Sequence, residues 1–96
     1  MKISVIGYAK FKGFIGKHGP IVVEIEEGTL RDGLEALCQR FGKKFRELVF
    51  DPKTKAVKRS NLILVNGQSY LNLRERLQIE LKDGDEITFL PTLIGG

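Results

Sequence analysis

One amphipathic segment, between residues 29 and 42, limits what this chain can fold into more than any other feature. Thr29 is a typical helix N-cap, Asp32 stands three residues later in a capping-box-like position, and Gly42 suits the end of a helix. Five side chains between them recur at helical spacing: Leu30, Leu34, Leu37, Cys38 and Phe41. Because these five share one face, the pattern predicts a single main helix that packs on another layer.

Short runs rich in β-branched residues flank this helix on both sides. Strands are predicted at residues 2–9, 21–26, 61–65 and 86–90. The first two are expected to pair as an antiparallel hairpin. Residues 43–50 are expected to form a short second helical segment, and residues 10–19 a loop or a single helical turn. This order predicts an α+β domain in which a mixed sheet of four to five strands packs on one main helix.

The boundary of the domain is predicted from Pro91. A length of 96 residues suits a single domain. Proline has no N–H to donate to a sheet, so Pro91 is expected to stop the pairing of the last strand. The predicted organisation is a domain over residues 1–91, followed by a flexible tail over residues 92–96 that contains Gly95 and Gly96.

The charge balance is mildly basic, with 16 Lys and Arg residues against 12 Asp and Glu residues and a net charge of +4. Such a balance permits nucleic acid or an acidic protein as a partner. The densest basic run is Lys53, Lys55, Lys58 and Arg59. It lacks the interleaved aromatic rings of a single-strand platform, so a solvated loop is predicted and nucleic acid is not expected. No transmembrane run or secretory signal is visible, so a cytoplasmic protein away from membranes is expected.

Side chains suited to catalysis or metal binding are few. His18 is the only histidine and lies in a glycine-rich loop without a marked nucleophile as its partner. Cys38 falls on the apolar face of the main helix, where a free cysteine acts as a small hydrophobe. One cysteine and one histidine allow neither an internal disulfide nor a closed zinc site, so no metal site is predicted.

The remaining candidate for chemistry is the pair Gly95 and Gly96. Glycine has no Cβ, so a two-glycine tail can thread a narrow channel into the active site of another protein. The group delivered there is the α-carboxylate of Gly96, which must be activated before a sulfur or nitrogen nucleophile can attack it. Transfer to ATP, giving a mixed anhydride with AMP, achieves this. A partner protein would bind the ATP. The alternative interpretation of the two glycines is a frayed chain end.

Several segments of the sequence resemble one family of carrier proteins. Residues 81–96 closely resemble the C-terminus of the MoaD/ThiS-type ubiquitin-like sulfur carriers, which ends in an acidic turn, an apolar strand, proline and Gly-Gly. Residues 64–67, with the order Leu-Val-Asn-Gly, resemble the turn of that family. Residues 8–11 and 28–32 resemble its aromatic-alanine segment and its helix start. The resemblance therefore spans nearly the whole chain.

The resemblance implies a β-grasp fold and a reactive C-terminus. It implies that Gly96 is adenylated by an E1-like enzyme and converted to a thiocarboxylate, with Gly95 and Gly96 in the partner's channel. Phe89, Pro91 and Leu93 are the expected docking contacts. The molybdopterin branch of the family implies a non-catalytic small subunit that donates sulfur to the large subunit of molybdopterin synthase. No cofactor is expected to be bound, because the E1-like partner uses the ATP.

Other functions stay open at this point. The same thiocarboxylate could supply thiamin synthesis, cysteine synthesis or tRNA thiolation, since the acceptor belongs to the partner. A protein modifier that joins Gly96 to lysines is a different class, and a plain interaction domain is another. In each carrier interpretation, an apolar docking face is expected on the sheet near the last strand, with side chains that remain partly exposed.

Overall fold

Five strands form one mixed sheet over the residues that the structure, a computed structural model, describes: 1–16 and 19–92. The strands are β1 (Lys2–Gly7), β2 (Ile21–Glu24), β3 (Asn61–Val65), β4 (Gln68–Ser69) and β5 (Glu86–Pro91). Their order across the sheet is β2-β1-β5-β3-β4. The predicted β1–β2 hairpin is confirmed, with antiparallel pairing from Lys2 opposite Glu24 to Val5 opposite Ile21.

The central pair of the sheet is parallel. β1 and β5 pair from Ser4 opposite Glu86 to Gly7 opposite Phe89, whereas β5 and β3 are antiparallel. Because parallel strands run in the same direction, β1 and β5 finish at the same end of the sheet. The chain that follows Gly7 and the chain that follows Pro91 therefore leave the sheet together.

Within the same described residues, three helices accompany the sheet: α1 (Lys12–Ile15), α2 (Leu30–Phe41) and α3 (Lys43–Val49). The predicted start of α2 is confirmed, since Thr29 Oγ1 accepts a hydrogen bond from Asp32 N at 3.3 Å and Asp32 Oδ2 accepts one from Thr29 N at 2.9 Å. Gly42 follows α2 with a φ of 97°, which favours glycine. Short 3-10 turns lie at Ala9–Phe11, Tyr70–Asn72 and Arg76–Gln78. In the described part of the chain, no helix has the length and apolar character needed to cross a membrane.

The core lies between the helices and one face of the sheet. From the sheet, alternate residues of β1 and β3 are buried, including Val5 and Ile63, together with Ile87 and Phe89 of β5. From α2, the buried side chains include Leu34 and Leu37, as the helical spacing predicts. The prediction of an α+β domain with one main helix on a mixed sheet is therefore confirmed.

The prediction for Pro91 is wrong. Pro91 lies opposite Asn61 within the β5–β3 ladder, and Thr92 N donates a hydrogen bond to Ser60 O at 2.9 Å. Successive N–H groups of a strand point to opposite sides. Since the Thr92 N–H points toward the β3 side, the nitrogen of Pro91 faces the β1 side, where pairing has already ended at Gly7. The missing N–H therefore interrupts nothing, and the sheet contacts extend one residue past the predicted boundary.

Candidate functional site

The end of β5 is held on both sides. On one side, Thr92 Oγ1 donates a hydrogen bond to Arg59 O at 2.9 Å, in addition to the Thr92–Ser60 bond. On the other side, Tyr8 N donates to Phe89 O at 2.9 Å. These bonds fix the position and direction from which the chain continues toward the predicted reactive residue. The predicted site residues Leu93, Gly95 and Gly96 lie outside the described residues.

Phe89 occupies a different place from the predicted one. Its side chain is 0% exposed, and its ring centroid lies 5.2 Å from that of Phe11 and 5.6 Å from that of Phe45. Edge and tilted ring contacts of this kind are typical of a packed aromatic core. Phe89 therefore faces the helices, and the prediction that it is a docking contact is corrected. Pro91, at the end of the same strand, is half-buried and retains a surface that a partner could contact.

The face of the sheet opposite the helices carries apolar side chains that remain partly exposed. Its members share one face because they stand opposite one another in the ladders: Val22 opposite Ser4, Ile6 opposite Thr88, Thr88 opposite Leu64, and Leu62 opposite Leu90. Val22 is 65% exposed, whereas Ile6, Leu62, Leu64 and Leu90 are half-buried. We call Val22, Ile6, Leu62, Leu64 and Leu90 the outer face. Exposed apolar area of this kind, next to the last strand, is suited to a partner protein.

A shallow groove of about 450 Å³ adjoins the end of β5. Its lining combines apolar and basic side chains from three segments: Val57, Lys58, Arg59, Asn61, Leu62, Tyr70, Leu71 and Thr92. Leu71 is 51% exposed, whereas Tyr70 is buried. Because Leu62 belongs to the outer face and Thr92 continues β5, the groove joins that face to the chain end. Sequence reasoning missed this groove, because it did not predict the 3-10 turn at Tyr70–Asn72 that carries Leu71.

The other candidates that lie among the described residues show no sign of a second site. Cys38 is buried as predicted, and this burial raises the pKa of its thiol to about 11. Lys53 and Lys55 are exposed in a turn that Asp51 organises, because its carboxylate accepts hydrogen bonds from Thr54 N and Lys53 N, which lower the pKa of Asp51. His18 lies outside the described residues. Within 1–16 and 19–92, no group of three or more His, Cys, Asp or Glu side chains is placed to hold a metal ion.

Solved structures of other proteins share this fold. A putative molybdopterin converting factor subunit 1 from Pyrococcus furiosus has a TM-score of 0.71 and 29% identity, covering 97% of this chain and 99% of that one. The small archaeal modifier protein 1 from Methanosarcina acetivorans has a TM-score of 0.79 and 26% identity, covering 99% and 96%. A chain of the BexX/CysO complex from Amycolatopsis orientalis has a TM-score of 0.70 and 24% identity, covering 98% and 99%. The predicted β-grasp fold is therefore confirmed.

The sequence itself places the chain in a family. Comparison with curated proteins gave no match. The model of the ThiS family, however, matches residues 10–96, a span that runs from the turn after β1 through β5 to the two glycines. The match includes the acidic turn, the last strand and the Gly-Gly pair on which the resemblance rested. On this evidence, the chain belongs to the ThiS family of ubiquitin-like sulfur carriers and modifiers.

Proposed function

We propose that this protein carries sulfur on Gly96. The observation that supports the proposal is the continuity between β5, fixed at both flanks through Phe89 and Thr92, and the Gly95-Gly96 pair at the end of the span that the family model matches. A strand end held in place and followed by a short tail whose last two residues are glycines, which carry no side chain, is suited to insertion into a narrow channel. The protein then contributes the reacting carboxyl group, while the catalytic side chains belong to its partner.

The proposed reaction has two steps. An oxygen of the Gly96 carboxylate attacks the α-phosphorus of ATP in an E1-like enzyme, and pyrophosphate leaves. A hydrosulfide equivalent, supplied by a sulfur donor, then attacks the acyl carbon and displaces AMP. The product is a thiocarboxylate on Gly96, formed without any change in the folded domain.

The destination that we propose for the sulfur is molybdopterin. The support is the similarity, at 29% identity, to the Pyrococcus furiosus protein described as a putative molybdopterin converting factor subunit. In this proposal the chain is the non-catalytic small subunit of molybdopterin synthase and donates its sulfur in the large subunit. Thiamin synthesis, cysteine synthesis and tRNA thiolation are alternative destinations for the same thiocarboxylate.

A second candidate function is protein modification. The similarity to the Methanosarcina acetivorans modifier, at 26% identity, favours it. The two functions share adenylation of Gly96 and differ in the nucleophile, because a lysine amine in place of hydrosulfide gives an isopeptide bond. Both would use the outer face, Pro91 and Leu93 as docking contacts.

Intact-mass measurement tests the proposal. The purified protein is incubated with ATP, a sulfur donor and the E1-like enzyme of its source organism. We expect a mass gain equal to the exchange of one oxygen for sulfur. A variant without Gly96 is expected to show no gain while keeping the wild-type unfolding midpoint, since the described contacts of the domain end at Thr92.

Three other results would decide differently. Gly-Gly remnants on lysines of other proteins, without the sulfur exchange, would assign the protein as a modifier. An equal mass gain in the variant without Gly96 would place the chemistry elsewhere in the chain. No change of either kind, with a competent E1-like enzyme present, would leave an interaction domain.

A further inference from the structure

Basic side chains surround the end of β5. Lys10 and Lys12 follow β1, which finishes beside β5, and both are exposed. Lys58 and Arg59 precede β3, whose first residue stands opposite Pro91, and Arg59 is exposed. We call Lys10, Lys12, Lys58 and Arg59 the basic end. The fold thus brings together two pairs of cations that lie far apart in the sequence, one on each side of the strand that leads to the tail.

The opposite end of the sheet is acidic. β5 begins there with Glu86, β2 ends there with Glu24, and Asp83 Oδ1 accepts a hydrogen bond from Lys2 N at 2.7 Å. The carboxylates on the described residues at this end are those of Glu24, Glu26, Glu27, Glu80, Asp83, Asp85 and Glu86. The cations there are Lys2, Lys82 and the N-terminal ammonium of Met1, which donates a hydrogen bond to Ile25 O. β5 has 6 residues, so the two ends are separated by about 17 Å at the usual rise per strand residue. The molecule is therefore electrically polar along the direction in which β5 runs.

The length of the tail determines how closely the basic end approaches a partner. If Gly96 carries the reacting carboxyl, as proposed above, the chain from Thr92 to Gly96 can span at most about 14 Å when fully extended. The reacting atom lies inside the partner's channel, so the surface around Thr92 must come against the mouth of that channel. The basic end consequently faces the partner whenever the tail is inserted.

We propose that the basic end docks on an acidic rim around the tail channel of the E1-like enzyme. This inference rests on the proposed function, because it takes the tail-receiving enzyme as the partner. Opposite charges at the contact raise the rate of encounter, and the acidic end is repelled, so the protein approaches with its tail first. Nucleic acid fits this end less well. Tyr8 is the one exposed aromatic ring among the described residues, whereas single-strand platforms stack successive bases on several rings.

Charge reversal at the two ends tests the proposal. Lys10→Glu with Arg59→Glu reverses two exposed charges of the basic end, and Lys2→Glu with Lys82→Glu makes the same net change at the acidic end. The association rate of each protein with the E1-like enzyme is measured from low to high salt. We expect the basic-end variant to associate about tenfold more slowly at low salt and to lose most of the salt dependence. The acidic-end variant is expected to remain within about twofold of wild type.

The outcomes separate the two proposals. Equal slowing of both variants would show a net-charge effect and would overturn the acidic rim, as would an unchanged rate in the basic-end variant.

Adenylation of Gly96 is followed in the same mixtures at saturating concentrations of the carrier. Charge-dependent association without adenylation would overturn the proposed function alone, whereas adenylation with rates indifferent to Lys10 and Arg59 would overturn the acidic rim alone. Binding of a mixed-sequence RNA to the basic end, with enzyme association unchanged, would replace the rim with nucleic acid.

Discussion

At Gly7, the end of β1 packs closely against the turns that follow it. A Cβ at this position would lie 2.8 Å from Phe11 Cβ and 3.1 Å from Ile15 Cβ, atoms that cannot move without their backbone. We expect Gly7→Ala to lower the free energy of unfolding by about 1–3 kcal/mol through overpacking. Gly13→Ala is the matched control, because nothing lies within 4 Å of its added Cβ, and it is expected to be neutral or slightly stabilising. Urea midpoints measure both, and equal midpoints would contradict the close approach.

Single residues are also where the sequence was most informative. Thr29 and Asp32 form the predicted capping box, and Gly42 adopts the positive φ that the end of α2 requires. Asn66 and Gly67, a strong turn signal, have φ values of 51° and 84° between β3 and β4. Each of these features depends on interactions between residues a few positions apart. Local sequence rules therefore predict them without knowledge of the rest of the fold.

At the scale of elements, the two faces of β5 have different roles. One face contributes to the stability of the core, and the other belongs to the proposed docking surface. Phe89 is buried among aromatic rings, whereas Leu90 lies on the half-buried outer face. We expect Phe89→Ala to cost about 3–5 kcal/mol of unfolding free energy. Leu90→Ala is expected to cost less than half as much and to weaken binding to the E1-like enzyme. Chemical denaturation together with titration of the enzyme measures both effects. A Leu90→Ala variant with unchanged affinity would exclude the outer face from the proposed interface.

The errors at β5 have a common cause. The sequence showed an apolar strand ending in proline, which predicts its existence and its length to within a residue. It did not show which face of the strand meets the helices, so Phe89 was assigned to the wrong surface. It also did not show that pairing with β1 stops before Pro91, and this alone makes the proline harmless. Both facts depend on neighbouring strands that are distant in the sequence.

At the scale of the whole molecule, the order of the strands in the sheet explains why the candidate site could be predicted only in part. The Gly-Gly pair is a local motif and could be identified from the sequence. The basic end could not, because Lys10 and Arg59 become neighbours of the same strand only through the β2-β1-β5-β3-β4 order of the sheet. The groove beside Thr92 likewise combines residues 57–62 with Tyr70 and Leu71. Surfaces built from several segments require the topology, whereas the chemistry carried by one segment does not.

Opening of the whole domain can be followed at Cys38, which is 2% exposed and whose pKa is raised by burial to about 11. Because burial disfavours the thiolate, the unfolded chain loses the thiol proton at a lower pH than the folded domain does. The stability linked to the protonated thiol is therefore fully present below the pKa of the unfolded thiol and is lost as pH rises through that of the folded thiol. We therefore expect the free energy of unfolding to fall between about pH 9 and about pH 11, by up to about 1.4 kcal/mol per pH unit. Urea unfolding of wild type and Cys38→Ala across this interval isolates the effect, because the other titrating groups are common to both proteins. The alanine variant should lose less stability than wild type, and parallel losses would show that the thiol ionises as readily in the folded domain as in the unfolded chain.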